Sequence, residues 1–218
     1  IADANNQRIR KVDALTGIIT SIARDFPALG IAVDPAGNVY ASDYTNNRVL
    51  RIDGLTAAVS VYAGNGLTNS LGDNGPATFA AVNSPRGLAV DAAGNLYIAE
   101  YGNNRIRLVD AATRTISTLA GTGVLGGTGD GGSASLATLA VPQGVAVDGA
   151  GNVYIADTGN HRVRFIDFSS VAVTLSAPGA NAPSESCQRS TNDRRCRTGI
   201  ERNASGRLRA STRRISSA

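Results

Sequence analysis

Three aspartates recur at intervals of 57 residues, each opening the same pattern, D-x-A-G-N: Asp34, Asp91 and Asp148. Carboxylates of this kind could bind calcium, which takes about six to eight oxygen ligands in proteins. Each pattern, however, brings a single carboxylate. An Asp followed by Gly and Asn is typical of a tight turn, in which its side chain accepts hydrogen bonds from backbone N–H groups. We therefore predict a structural role for these residues and no metal site.

Arginines recur with the same period, and each follows an Asn or a His. They are Arg48, Arg105 and Arg162, preceded by Asn47, Asn104 and His161. An acidic residue stands five positions before each arginine. A guanidinium is a rigid fork of donors that suits a ligand carboxylate as well as an acceptor of its own chain. Because the arrangement is copied into every unit, we expect these arginines to stabilise the fold rather than to bind a ligand.

The residues that most enzyme and metal sites need are scarce. The chain has one His, His161, and two Cys, Cys187 and Cys196. A zinc site takes about four ligands, usually rich in His and Cys. A lone His without a positioned Ser, Cys or second His cannot form a nucleophile–base pair. The sequence predicts no catalytic residue, no metal and no cofactor, and it leaves open whether the two Cys form a disulfide.

Two glycine-rich linkers, at 71–85 and 127–142, carry one acidic residue each, Asp73 in LGDNGP and Asp130 in TGDGGS. Successive backbone N–H groups in such loops can bind anions. A phosphate-binding loop would also contain a Lys, and neither linker has one. A lone carboxylate is equally poor in ligands for a cation. We expect long loops here, without an ion site.

Short strands must position these residues. The segments GIAVD, NVYASDY and RVLRID, which begin at Gly30, are rich in β-branched and aromatic residues and are bounded by turn residues. A fourth strand follows at 57–64 and again at 114–121. Four antiparallel strands per unit, repeated radially, describe a β-propeller blade. Tyr40, Tyr97 and Tyr154 share one strand position and are predicted to pack between blades.

The full pattern, P-x-G-[LV]-A-V-D-x-A-G-N-[LV]-Y-I-A-[DE]-x-x-N-x-R-[IV]-R, resembles the NHL repeat and covers about residues 1–168. The resemblance implies a propeller, usually of about six blades, that serves as a binding platform. The linkers are similar to those of bacterial secreted members, which implies an extracytoplasmic or secreted location. Only three full units and one half-unit occur, so we expect an all-β, incomplete, open propeller of about 3.5 blades.

The expected boundaries follow from the repeat. A partial blade occupies 1–23, three blades occupy about 26–66, 83–123 and 140–175, and a Ser/Arg-rich tail follows at 176–218. Open blade edges carry unpaired N–H and C=O groups, so self-association is expected. No apolar run approaches the roughly 18 residues of a membrane span, and the given sequence does not begin with a signal peptide. We interpret the chain as a processed form or a piece of a longer protein.

Loops in a four-stranded meander alternate between the two ends of the blade. The loop after the second strand and the long linker therefore share one end, which we call the long-loop face. It gathers most of the polar residues singled out above. The candidate binding residues on this face are Tyr44, Asn47, Asp73, Tyr101, Asn104, Asp130 and His161. Rigid scaffolds tend to place function on their longer loops, so this face is predicted to bind the ligand.

The leading hypothesis is a non-enzymatic scaffold that binds protein, peptide or glycan. One alternative is a fragment of a propeller lyase or lactonase whose catalytic residues lie in blades outside this chain. A second is an RNA-binding NHL platform. The net charge of residues 1–168 is −2, from 12 basic and 14 acidic residues, which disfavours nucleic acid as the partner.

The tail reverses that charge. Residues 169–218 hold nine Arg and three acidic residues, and they contain few large apolar side chains. Such a composition predicts disorder beyond about residue 178. A one-base frame shift through Ser211–Arg214, read in GC-rich codons, would encode Val-Asp-Ala-Ala, the centre of the repeat. An out-of-frame repeat and an ordinary low-complexity tail both remain open.

Overall fold

The computed structural model describes residues 1–69, 71–168, 196–202 and 208–214. Over residues 1–168 the regular structure is almost entirely short strands, with single turns of 3-10 helix at Ala4–Asn6, Tyr101–Asn103, Ala134–Leu136 and Thr158–Asn160. The strands of this segment are β1 (Ala2–Asp3), β2 (Arg8–Val12), β3 (Ile19–Arg24), β4 (Ala28–Val33), β5 (Val39–Asp43), β6 (Arg48–Ile52), β7 (Val59–Ala63), β8 (Gly75–Pro76), β9 (Pro85–Val90), β10 (Leu96–Glu100), β11 (Arg105–Val109), β12 (Thr115–Ala120), β13 (Gly144–Val147), β14 (Val153–Asp157) and β15 (Arg162–Ile166).

These strands form four antiparallel sheets, which we call blades 1 to 4. Blade 1 is β1-β2-β3, blade 2 is β4-β5-β6-β7, blade 3 is β9-β10-β11-β12, and blade 4 is β13-β14-β15. The predicted all-β class, built of small blade-like sheets, is confirmed. The strands of blade 4 end at Ile166, and the last part of its predicted range, 169–175, lies outside the described residues.

A strand that the sequence did not predict lies on the outer edge of blade 3. The two-residue strand β8, in the linker, pairs antiparallel with β12, so that Thr115 opposes Pro76. The linker therefore contacts the outside of blade 3 before the chain enters that blade at β9. It adds a fifth strand to the four that we predicted.

The repeated glycines allow the inner strands of neighbouring blades to approach closely. A Cβ on Gly87 of β9 would lie 2.7 Å from the carbonyl oxygen of Gln143, at the start of β13. The backbone N–H of Gly87 donates to that same oxygen at 3.0 Å. Glycine thus recurs every 57 residues because the backbones of neighbouring blades are in contact at this position, where any side chain would clash.

Each pair of adjacent blades encloses its own apolar cluster. Between blades 2 and 3, Tyr40, Val49 and Tyr62 pack with Leu96 and Ile98. Similar clusters lie between blades 1 and 2 and between blades 3 and 4. Tyr40 and Tyr97 are buried in these clusters, as predicted for inter-blade packing, whereas Tyr154 on blade 4 is 39% exposed. No blade covers that side of blade 4 in the described part of the chain.

The tail contains two described strands, β16 (Cys196–Arg202) and β17 (Leu208–Arg214), which pair antiparallel. The other residues of 176–218, including Cys187, lie outside the described residues. The predicted disorder of the tail and the frame-shift hypothesis therefore stay predictions, and whether Cys187 and Cys196 form a disulfide stays open. Within the described ranges, no helix has the length and apolar character needed to cross a bilayer.

Candidate functional site

The aspartate of each D-x-A-G-N turn accepts hydrogen bonds from the turn itself. Asp91 accepts from the backbone and side-chain nitrogens of Asn95 at 2.9 and 2.8 Å and from the Tyr97 hydroxyl at 3.1 Å. The same bonds surround Asp34 and Asp148. Burial, together with the nearby Asp91 carboxylate, raises the pKa of Tyr97 to about 12. These carboxylates therefore have their oxygens engaged within the turn, at the end of the blade opposite the long-loop face.

Two of the candidate binding residues join one blade to the next. Asn47 and Asn104 both adopt the left-handed conformation, with a φ of 52°. The Oδ1 of Asn47 accepts from the backbone N–H of Ser84, and the Oδ1 of Asn104 accepts from that of Val141, each at 2.9 Å. Donor and acceptor are 37 residues apart in both cases. The structure thus places both amides in contacts between blades.

His161 occupies the same slot in blade 4. Its φ of 53° matches that of the two asparagines, and its backbone N–H donates to the carbonyl of Thr158 at 3.0 Å. The side chain is exposed. Position 161 is therefore available to a ligand on the long-loop face, and it stays a candidate binding residue.

The repeated arginines contact acceptors close to their own blade corners. Arg48 Nε donates to Asp43 at 2.8 Å. The guanidinium of Arg105 donates to the carbonyl of Thr122 at 2.8 Å. Arg162 forms an ion pair with Asp130 at 2.9 Å and also donates to the carbonyl of Gly127. All three contacts lie within one blade or between a blade and its adjoining linker.

Asp73 pairs with a buried arginine that the sequence analysis missed. Arg107 is fully buried, and its guanidinium lies 2.6 Å from Asp73 and 3.2 Å from Glu100, which is also fully buried. Arg107 further donates to the carbonyl of Ala81, and Thr118 donates to the second oxygen of Asp73 at 2.7 Å. The linker is thereby fastened to the core of blade 3.

Blade 4 contains the same network one period later. Arg164, with 9% of its side chain exposed, lies 2.6 Å from Asp130 and 3.8 Å from Asp157. It also donates to the carbonyl of Thr138 at 2.9 Å. The signal was present in the sequence, because Asp130 and Arg164 each follow their counterparts in blade 3 by 57 residues. Both linker aspartates thus neutralise an arginine of the blade that follows them.

Arg86 stacks on the ring of Tyr101. The guanidinium carbon of Arg86, on β9, lies 3.6 Å from the Tyr101 ring centroid. Tyr44, at the equivalent position of blade 2, is partly buried. Sequence analysis missed Arg86 because its position is occupied by other residue types in blades 2 and 4.

An open groove lies on the long-loop face beside blade 2. It has a volume of about 540 Å³ and is lined chiefly by polar groups: Thr45, Asn46, Arg48, Asn65 and Thr78. None of the seven candidate residues lines this groove. Over the described residues, no group of three or more His, Cys, Asp and Glu side chains is placed to hold a metal ion.

This architecture, with repeated antiparallel sheets packed face to face through glycine-bearing inner strands, defines a protein built of β-propeller blades. Two segments, residues 82–107 and 139–164, match the NHL repeat family. The first contains β9, β10 and the start of β11, and the second contains β13, β14 and the start of β15. The chain therefore carries two NHL repeats.

Curated relatives match this chain over a small part of much longer sequences. Protein SUPPRESSOR OF QUENCHING 1, chloroplastic, of Arabidopsis thaliana is 29% identical over 185 residues, which are 80% of this chain and 17% of that protein. NHL repeat-containing protein 2 of Bos taurus is 34% identical over 98 residues, 44% of this chain and 13% of the relative. The chain thus spans about a sixth or less of the length of these relatives.

Solved structures agree on the fold. A protein of unknown function from Bacteroides thetaiotaomicron has a TM-score of 0.63 and 24% identity, covering 73% of this chain and 42% of that chain. An auxiliary nutrient binding protein of the same organism has a TM-score of 0.57 and 20% identity, covering 75% and 43%. A streptogramin B lyase has a TM-score of 0.54 and 12% identity, covering 76% and 46%. At these identities the likeness concerns the fold alone.

Proposed function

We propose that this chain is a non-enzymatic binding module that holds a protein, peptide or glycan ligand on its long-loop face. The observation that carries the proposal is the polar groove of about 540 Å³ beside blade 2. Its side chains offer both donors and acceptors, and its walls are a rigid blade and a linker. Such a cleft can order a polar ligand at little conformational cost.

Apolar side chains on the linkers extend this surface. Phe79 and Leu136 stand at equivalent positions of the two linkers and are 76% and 75% exposed. Each lies close to buried alanines of its own linker, so the backbone there is anchored while the large side chain faces solvent. Exposed apolar groups beside a polar groove are typical of interaction surfaces.

The similar structures include both binding proteins and enzymes. Two of the similar structures are auxiliary nutrient binding proteins. Two others are lyases, at 12% and 16% identity, and no arrangement in the described residues favours their activity here. We further propose an extracytoplasmic or secreted location, which rests on the resemblance of the linkers to those of secreted NHL proteins.

The test uses the full chain and two surface variants that add the same side chain at opposite ends of blade 2. Thr78→Arg places a long side chain in the groove, and Leu55→Arg places one at the other end, where Leu55 is 96% exposed. A displayed library of 12-residue peptides and a glycan array would be screened with the unmodified chain, and each hit measured again with both variants.

We expect Thr78→Arg to abolish the hits and Leu55→Arg to retain them. Hits lost only with Leu55→Arg, or no hit in either screen, would overturn the proposal. Mass spectrometry of each hit after incubation distinguishes binding from catalysis, because a covalent change of the ligand would show that the chain acts as an enzyme.

A further inference from the structure

Arg86 differs from Arg107 and Arg162 in having no acceptor among the described residues. The Nε atoms of Arg86, Arg107 and Arg162 are all buried without a hydrogen-bond partner. Arg107 and Arg162 nevertheless form ion pairs through other nitrogens. Among the described residues, no hydrogen bond or ion pair is made by any nitrogen of the Arg86 guanidinium, whose one specific contact is the Tyr101 ring. Arg86 is only partly buried, and its two Nη atoms, unlike its Nε, reach solvent, where a ligand can contact them.

The blade fold does not require this arginine. The equivalent residues, 57 positions before and after, are Leu29 and Gln143. Leu29 is 45% exposed, and Gln143 is also exposed, so this position opens to solvent in both neighbouring blades. Tyr101, in turn, is replaced by Thr158 in blade 4. The Arg86–Tyr101 pair is therefore a feature of blade 3 alone within the three full units.

Local geometry holds Arg86 in place. The pairing of β9 with β10 is irregular between Leu88 and Pro85, so Arg86 lies in a β-bulge. Bulges redirect side chains and are frequent beside functional sites. The ring of Tyr101, 3.6 Å from the guanidinium carbon, then restricts the position of the guanidinium. A fork held in this way is preorganised for bidentate recognition of a carboxylate.

We propose that Arg86, stacked on Tyr101, is the anion-recognition point of the long-loop face and pairs with a carboxylate of an acidic peptide ligand. The inference rests on the proposed binding function and names its ligand class. Asp73 and Glu100 already neutralise Arg107, so within the described ranges Arg86 has no carboxylate as a partner. A peptide is favoured over a sugar acid because Arg86 covers a face of the Tyr101 ring, and sugars stack on open aromatic faces.

The probe is an N-acetylated octaglutamate peptide, titrated into the full chain labelled with 3-fluorotyrosine. The ¹⁹F resonance of Tyr101, assigned with Tyr101→Phe, reports on this site alone, so binding of the probe to the arginine-rich residues 169–218 does not enter the measurement. Arg86→Gln is the test variant. Arg24→Gln is the matched control, because Arg24 is exposed on the outermost strand of blade 1.

We expect saturable movement of the Tyr101 resonance, weakened at least about tenfold by Arg86→Gln and less than about twofold by Arg24→Gln. Arg86→Lys should lose most of the affinity despite keeping the charge, because an ammonium cannot form the bidentate pair. Since Arg86→Gln removes the reporter's stacking partner, the Tyr101 resonance is assigned anew in each variant, and the midpoint of its titration is compared rather than the size of its shift.

Three outcomes overturn the inference. One is an unmoved Tyr101 resonance, and another is equal weakening by Arg86→Gln and Arg24→Gln, which would indicate general electrostatic attraction. The third is tighter binding of octagalacturonate than of octaglutamate, which would assign the site to a sugar acid. A different result is that ligands from the library screen are lost with Thr78→Arg but retained with Arg86→Gln. That result would support the proposed function and reject this inference alone.

Discussion

Replacement of Arg107 by Leu tests how the linker is fastened to blade 3. The substitution is sterically plausible, because Leu50 occupies the equivalent position of blade 2 and is 4% exposed in an apolar cluster. In blade 3 it would leave Glu100 buried without its cation and Asp73 without its ion pair. Breaking a fully buried pair on one side costs about 3–5 kcal/mol of unfolding free energy.

The contacts that survive bring the expected value to the lower end of that range. Glu100 keeps hydrogen bonds from the backbone of Asn83 at 2.8 Å and from the side chain of Asn103. Asp73 keeps its bond from Thr118. We therefore expect a loss of about 3 kcal/mol for Arg107→Leu, measured as the shift of the urea midpoint by circular dichroism at unchanged slope.

A matched substitution in blade 4 and a double variant complete the test. Arg164 pairs closely only with Asp130, which is 64% exposed, and lies 3.8 Å from the buried Asp157. Since Asp157 keeps hydrogen bonds from Ala140 and Asn160 and solvent screens the Asp130 pair, Arg164→Leu should cost only about 1 kcal/mol. Adding Glu100→Gln to Arg107→Leu removes the unpaired charge and should recover about 1–2 kcal/mol. A loss below about 1 kcal/mol for Arg107→Leu, or a double variant that costs the sum of both single changes, would refute the reasoning.

Three further outcomes follow from the contacts between and within blades. Gly87→Ala should cost about 1–3 kcal/mol, because its Cβ would lie 2.7 Å from a backbone oxygen of blade 4, whereas Gly149→Ala, with nothing within 4 Å, should leave the melting temperature unchanged. Asn104→Ala should cost about 1–2 kcal/mol by removing the acceptor of the Val141 N–H, and hydrogen exchange at that amide should accelerate. The pKa of Tyr97 is raised to about 12. The stabilisation that Tyr97 provides is therefore complete below the ordinary tyrosine pKa of about 10 and is lost as the pH rises from about 10 through about 12. Tyr97→Phe should flatten this alkaline loss of stability, measured as unfolding midpoints against pH, and an unchanged profile would contradict the assignment.

The sequence was sufficient for the strands because the repeat supplied several aligned copies of one pattern. Alternation of apolar residues, with Gly and Asn at the turns, placed β5, β6, β10 and β11 closely. Strand β8 was missed, since two residues that include a Pro, in a glycine-rich linker, carry no periodicity. Its existence depends on β12, about 40 residues later in the chain, which local patterning does not register.

The site was only partly accessible to the same reasoning. Topology correctly ordered the loops of the long-loop face, yet it could not assign partners to individual side chains. Asn47 contacts the backbone of Ser84, which is 37 residues away, and Asp73 contacts Arg107, 34 residues away. Arg86 was overlooked because a search for repeated chemistry discards a residue that occurs once.

Strand β8 makes the unfolding of neighbouring blades cooperative. The chain that leaves blade 2 is hydrogen-bonded to the edge of blade 3 and ion-paired to its core before it enters that blade. Loss of blade 3 would therefore release the end of blade 2 as well, and each blade contributes to the stability of the one before it. In a linear array of repeats such nearest-neighbour coupling sets how far a local disruption spreads. A ligand that bridges a linker and the following blade would consequently stabilise at least two blades at once.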